Sequence, residues 1–322
     1  METSYHTDKS KIINSSGTRY VDFRAGLRAR YGIVWRDISL AYIVLLLALA
    51  GAMLMQQQYP WLWMVTVPAG AVIIGGAIAY LHLFMHEAAH FNIAADKTNN
   101  DRLANIFIGI LTGLDVKFYR VMHAAHHRYL GTVQDTEKSY FDAITPMLII
   151  DLVTGLKVLK VLLLRKKNMI RHEGQEIGGH LVRRSQMVFA ASMLLHAIMA
   201  GCLALAGYWQ AGAAWLLGVG VGYPLLSVLR QITEHRRLDA DGSVDYNVTD
   251  HGEMHRMFGD SLLSRLLGPA GFNRHLIHHW DPQVSYTRFA EVEAFLMDTD
   301  MRDYLQASQT TYSRTFLSLL RR

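Results

Sequence analysis

The chain has 322 residues, 51% of them hydrophobic and 18% charged, with a single cysteine and a formal net charge of +5 at pH 7. One cysteine rules out an intrachain disulfide or a cysteine-held iron–sulfur cluster, and the modest basic excess lacks the stacked aromatics or recognisable module of a nucleic-acid binder. The length would suit one large or two ordinary soluble domains, but the apolar residues are gathered into long runs, which argues for a membrane instead.

Residues 1–37 are polar and basic. They read as a mobile cytosolic start followed by a basic, partly aromatic stretch, Tyr20 to Trp35, lying along the interface with its arginines solvated. No secretory signal is visible, because the first apolar run already has the length of a span. That run, Ile38 to Met55, contains no Lys, Arg, Asp or Glu, and neither do Leu62 to Met85, Met187 to Gly207 and Ala213 to Leu229. A helix rises about 1.5 Å per residue and the hydrocarbon core is about 30 Å thick, so each run can cross or nearly cross. The last is the shortest and must borrow its flanks.

The fold class is therefore all-α integral membrane, with four transmembrane helices in two hairpins, residues 38–85 and 187–229. The connectors within them, Gln56 to Trp61 and Tyr208 to Gly212, contain none of the 32 Lys and Arg residues. All the basic charge then lies on one side, which the positive-inside rule makes cytosolic, together with both termini. The Tyr and Trp residues of the connectors suit the opposite headgroup region. Cys202, inside the third run, reads as a small buried residue.

Residues 86–186 form a cytosolic or interfacial region between the hairpins. Leu103 to Leu114 is apolar but too short to cross and return, so it is read as re-entrant or interfacial. Met147 to Leu164 has span length but contains Asp151, Lys157 and Lys160; a central charge costs roughly 2.5–3.5 kcal/mol, so a surface amphipathic helix is preferred. Arg165 to Gln186, with Gly174, Gly178 and Gly179, reads as a linker. Residues 230–322 form a second cytosolic region, ending in a helix-like pattern from Phe289 to Leu320 that carries no identifiable chemistry.

Three histidine groups stand beside these runs: His86 and His90; His123, His126 and His127; and His275, His278 and His279. Positions three and four apart share one helix face, so each group aims its imidazoles in one direction. With His235 they make nine imidazoles, more than one ion can take, so two ions are implied. Zinc prefers four ligands and has no redox chemistry, so iron suits an oxygen-activating site better. The other histidines receive plainer readings. His82 and His196 lie within spans, where a neighbouring helix can satisfy them, and His6, His172 and His180 sit in polar segments. His251 and His255 also have the four-residue spacing, but Gly252 weakens the helix that would align them. An imidazole on a metal donates its other ring nitrogen to a carboxylate or carbonyl. Glu87, Asp135, Glu234 and Asp281 lie close enough in sequence for this, with Asp135 and Glu234 preferred.

These residues resemble a known family, the membrane fatty acid desaturases and hydroxylases with three histidine boxes. The resemblance runs through His86 to His90, His123 to Gly131 with Asp135 after it, Glu234 and His235, and Gly268 to His279 followed by Pro282, covering roughly residues 38 to 300. It implies four transmembrane helices under a cytosolic histidine-rich cap, two iron ions, O2 as co-substrate and a lipid or acyl-thioester substrate. Related acyl-CoA desaturases place an Asn four residues before the isolated histidine, where it holds a water on one iron; that position here is Gln231. Front-end desaturases carry a fused haem domain with His-Pro-Gly-Gly. That tetrapeptide does not occur in this sequence, so electrons are expected from a separate ferredoxin-like or haem protein.

The favoured activity is O2-dependent desaturation of a fatty acyl chain carried on lipid, coenzyme A or carrier protein. Hydroxylation of an acyl chain or other lipophilic substrate shares the hydrogen-removing step and the box sequences do not separate the two. A membrane zinc hydrolase would leave several imidazoles idle, and a metal transporter would place its ionisable groups inside the spans, where only His82 and His196 lie.

Overall fold

Stretches that lack charge become the longest helices. In the computed structural model, which describes residues 8–157, 160 and 178–320, no strand is found among the described residues. The helices in chain order are α1 (Tyr20–Ala25), α2 (Tyr31–Gln58), α3 (Trp63–Ala89), α4 (Lys97–Ala104), α5 (Ile110–Thr112), α6 (Val116–Tyr129), α7 (Pro146–Val153) and α8 (Gly179–Leu205). They continue with α9 (Trp209–Leu217), α10 (Tyr223–His235), α11 (Leu262–Leu267), α12 (His275–Trp280), α13 (Phe289–Leu296), α14 (Arg302–Ala307) and α15 (Tyr312–Leu320).

Four helical segments are long and apolar enough to cross a membrane: Tyr31–Gln58, Pro60–Ala89, Gly179–Leu205 and Trp209–His235. The chain is an all-α membrane protein. Each segment outruns the apolar stretch that announces it, because a helix need not stop where hydrophobicity does if its polar end finds partners. The fourth runs on to His235, and its last residues, Ile232 to His235, are buried beneath the cap. The two hairpin connectors meet: Gln56 Nε2 donates to Gly207 O at 2.6 Å and Gln210 Nε2 to Pro60 O at 2.8 Å. Both hairpins therefore turn at the same end of the bundle, and all four outer ends face the cap. Leu46, Leu54, Met64 and Leu205 point outward from the bundle, as side chains in contact with acyl chains do. Cys202 is exposed among them, not buried as its apolar surroundings suggest. A helix that is apolar all round does not reveal which face is covered.

Glycines decide how closely the spans approach. The fourth span is broken into α9 and α10 by a π-helical turn, Gly218–Gly222, packed against α3. A Cβ on Gly75 would lie 2.6 Å from Gly222 C and Tyr223 N, and one on Gly222 would lie 2.7 Å from Ala71 O. The contact is backbone on backbone, the close crossing that small residues allow. Gly75→Ala is expected to destabilise the protein by about 1–3 kcal/mol, the usual cost of overpacking, read as a lower unfolding midpoint in detergent; an unchanged midpoint would refute the crossing.

The single histidines inside the spans are satisfied as anticipated. His82 Nδ1 pairs with Tyr223 Oη at 2.6 Å, and His196 Nε2 donates to Leu111 O at 3.1 Å while its Nδ1 accepts from Trp215 Nε1 at 3.2 Å. The contact of His196 with Leu111 also ties the segment Leu103 to Leu114 to α8, where Gly113, at φ +71, packs on Phe189.

Other segments depart from their sequence reading. The start of the stretch Tyr20 to Trp35 is packed on the cap, where Ile12 and Tyr20 join Ile277, Trp280 and Phe295 in one core. Arginines there have partners: Arg24 Nε reaches Asp281 Oδ2 at 2.6 Å and Arg30 reaches Glu291 Oε1 at 2.6 Å. The pattern from Phe289 to Leu320 is three helices, because the turns after α13 and α14 fold it back over the cap. The charged surface helix begins as read, but α7 ends at Val153 and Gly155 follows at φ +75; Lys157 pairs with Asp142 and Lys160 with Asp151. The rest of that reading, most of the Arg165 to Gln186 linker, His6 and His172 lie outside the described residues.

Candidate metal centre

Every histidine box sits where a helix ends or begins against the cap. The last turn of α3 carries His86, and His90 caps it. Asp115 starts α6 by accepting from the backbone N–H groups of Lys117 and Phe118, both at 3.1 Å, so His123, His126 and His127 follow two turns on along one face. His235 is the last residue of α10. The third box needs a tight approach. Gly271 has φ +78 and a Cβ on Gly268 would lie 2.2 Å from Tyr312 Oη, while Asn273 Nδ2 ties the turn to Gly259 O at 2.7 Å. Then α12 presents His275, His278 and His279, all buried.

These segments converge on two adjoining clusters. In the first, His86, His90, His123, His127 and His278 each offer a nitrogen within 4.8 Å of the others; in the second, His126, His235 and His279 do the same. The first is linked by Nε2 contacts of 2.8 Å between His86 and His278, 2.9 Å between His278 and His127, and 3.0 Å between His127 and His123. His275 completes the second, with its Nε2 2.8 Å from that of His235 and 3.1 Å from that of His279. Rings of His127 and His279 lie 4.4 Å apart, so the clusters share a wall. All nine imidazoles named from the sequence meet at this one place.

Carboxylates and carbonyls set the ring orientation. His126 Nδ1 donates to Asp135 Oδ1 at 2.9 Å and His123 Nδ1 to Glu137 Oε1 at 2.9 Å, while His235 Nδ1 donates to Met254 O at 3.2 Å. These partners only accept, so the proton stays on Nδ1 and the Nε2 lone pair turns inward. Burial opposes charge on His126, but the Asp135 and Glu137 carboxylates outweigh it and the metal-free group is pushed up to about 9, so a metal ion bound at its Nε2 must first displace a proton. His127, His278 and His279 are pushed well below the usual histidine value by burial and by neighbouring imidazoles, which keeps them neutral and able to ligate.

The donor set fits metal ions better than it fits itself. His127 Nε2 touches two other Nε2 atoms, and a neutral ring has one N–H to give, so the linked contacts cannot all be hydrogen bonds. Nε2 of His90, a member of the first cluster, is buried with no hydrogen-bond partner among the described groups. Buried polar nitrogens left unpaired are costly. Cations at the two foci would engage the inward lone pairs and relieve the crowding.

Some assignments move. Asp135 takes the role expected of it, but Glu234 lies 3.8 Å from His275 Nε2 and is held by Arg230 at 3.0 Å and Tyr312 Oη at 3.4 Å. Glu87 turns to Ser285 Oγ and Tyr286 N, each at 3.3 Å, and Asp281 to Tyr20 and Arg24. Glu137, which the sequence did not single out, is the second carboxylate on an imidazole; its other oxygen accepts from Gln231 Nε2 at 2.8 Å. Its signal was present in Asp135-Thr-Glu137, where two acids follow a box within one turn of loop. Gln231 borders a cavity of about 20 Å3 shared with Tyr119, His126, Glu137 and His275, enough for about one water. His255 approaches His279 at 4.9 Å between ring centres but joins neither cluster, and His251 packs on Phe141 and Tyr246.

Residues 61–312 match the family model described as fatty acid desaturase. No curated protein matches the chain.

Proposed function

The chain belongs to the fatty acid desaturase family, and on that premise we propose that it is a di-iron, O2-dependent enzyme that introduces a double bond into a fatty acyl chain. Membership makes it an oxidoreductase-type, metal-dependent modifier of fatty acyl chains, and its four apolar helices make it a membrane protein. The finer reading rests on one observation, the pair of adjoining imidazole clusters. His86, His90, His123, His127 and His278 would hold one ion. His126, His235, His275 and His279 would hold the other, with Gln231 steadying a water beside it. Iron bound there would supply the oxygen chemistry that removing hydrogen from an unactivated methylene demands and that no side chain offers.

The chain's own residues hold this site in place. Asp135 and Glu137 fix ring tautomers, and Tyr119, stacked on His123 with ring centres 5.5 Å apart, limits its tilt. Phe272 lies against His86 and His275 at 4.8 and 5.1 Å and helps to exclude water. In the overall balance an acyl CH2–CH2 unit, O2, two electrons and two protons become CH=CH and two waters. The electrons come from a separate ferredoxin-like or haem protein. The restriction of Lys and Arg to one side of the spans supports a cytosolic cage and cytosolic termini.

Purified protein is expected to contain about two irons per chain, as two such ligand sets require; a single zinc would favour a hydrolase instead. With 18O2, the alkene product should carry no label, and label retained in the organic product would replace desaturation by hydroxylation.

A further inference from the structure

Away from the cage, an open cleft of about 560 Å3 is lined by Phe91, Lys97, Asp101, Arg102, Lys117 and Arg184. The one carboxylate in its lining and the one paired with its Arg184 are already engaged. Asp101 is held by Arg120 at 2.5 and 3.2 Å, and the buried Asp115 by Arg184 at 2.5 Å. Lys97, Arg102 and Lys117 have no salt bridge among the described residues, and all three are exposed. Asn105, also in the wall, uses its Oδ1 to accept from Val116 N at 2.9 Å, which leaves its amide N–H groups to donate. The unspent capacity of the cleft is thus positive charge and hydrogen-bond donors, the recognition chemistry of a phosphate.

The cleft is built into the scaffold of the boxes. Phe91 follows His90 directly and has φ +63, with Arg120 3.9 Å and Lys97 4.8 Å from its ring. Arg120 also donates to Ala88 O at 3.0 Å and Ala89 O at 2.8 Å, the last carbonyls of α3. Lys117 stands on α6 ahead of His123, a separation of about 9 Å along the axis at 1.5 Å per residue. In the wall, Ile106 is 51% exposed, an apolar edge beside a polar pocket.

We propose that this cleft seats the phosphate of the acyl carrier, so that the substrate is a phosphate ester, held by its headgroup while the chain is led to the cage. The inference rests on the acyl-modifying reading above. The exposed apolar edge favours a phospholipid presented from the bilayer, with a soluble acyl thioester bearing phosphate as the other source of the same chemistry.

The test measures binding, not turnover. Metal-loaded full-length protein in nonionic detergent is titrated with dioctanoylphosphatidylglycerol, octanoyl-coenzyme A and dioctanoylglycerol, alongside the double variant Arg102→Gln/Lys117→Gln. At least one phosphate-bearing probe should bind wild type more tightly than dioctanoylglycerol, and the variant should lose about 10-fold or more of that affinity, as loss of two charge-assisted contacts implies. Loss confined to the phosphatidylglycerol assigns the phosphate to the bilayer; loss confined to octanoyl-coenzyme A assigns it to a soluble thioester. Lys97→Gln replaces the double variant if the latter shifts the unfolding midpoint. Equal affinity of wild type and variant for both phosphate probes, or tighter binding of dioctanoylglycerol, overturns the proposal. Metal content is measured on the same samples, so failure here is distinct from failure of the di-iron reading.

Discussion

His278→Ala should lose turnover by more than about 100-fold, beyond the 10–100-fold typical of an outer partner, and should lose the metal of the first cluster. The position is chosen because it bridges two other ligands: its Nε2 lies 2.8 Å from His86 and 2.9 Å from His127, while its Nδ1 has no hydrogen-bond partner among the described residues. Without metal the variant should be somewhat less stable than wild type, since a buried ring packed on Phe272 and Phe289 is replaced by a cavity. With metal the gap should widen, because ligand binding stabilises only the protein that binds it. Metal analysis and unfolding midpoints with and without added iron read both effects. His180→Ala, exposed at the start of α8, should match wild type throughout. Full metal content in His278→Ala would remove that residue from the ligand set.

Asp135→Ala should be the most damaging change outside the imidazoles. The carboxylate is fully buried and accepts from His126 Nδ1 at 2.9 Å, Tyr140 Oη at 2.5 Å and Glu137 N at 2.8 Å. Alanine leaves those donors unpaired, at about 1–3 kcal/mol each, and frees His126 to turn. Metal affinity should fall about 10–100-fold together with a lower unfolding midpoint. Asn keeps an acceptor but sets an N–H against a donor, so Asp135→Asn should fall between. A chelator titration gives the ranking; identical affinity in all three proteins would show that Asp135 shapes the loop and not the metal site.

The parts of this protein that were legible in sequence are those governed by local rules. Absence of charge over a span and imidazoles at three- and four-residue spacing are properties of single helices, so the four segments and all nine clustered histidines could be read directly. Partners that depend on how helices meet were less accessible. Glu87 lies next to His86, but adjacent residues on a helix point about 100° apart, and it turns toward Ser285 and Tyr286. Asp281 follows the third box and is claimed by Tyr20 and Arg24, nearly the whole chain away. Glu137 reaches His123 only because the loop after α6 doubles back, and Tyr312 reaches Glu234 only because the last helices fold over the cap. Those are facts of tertiary structure with no periodic signature.

The contact between His86 and His278 joins residues 192 positions apart. During synthesis both histidine-bearing ends of the first half emerge while their third set of partners has yet to be made, and α12 is produced only after the second hairpin. A ribosome stalled in that hairpin would hold a chain able to insert but equipped with an incomplete set of ligands. The ligand set is therefore complete only after the second hairpin has been made, so a metal ion that needs all of it must reach a chain already seated in its bilayer.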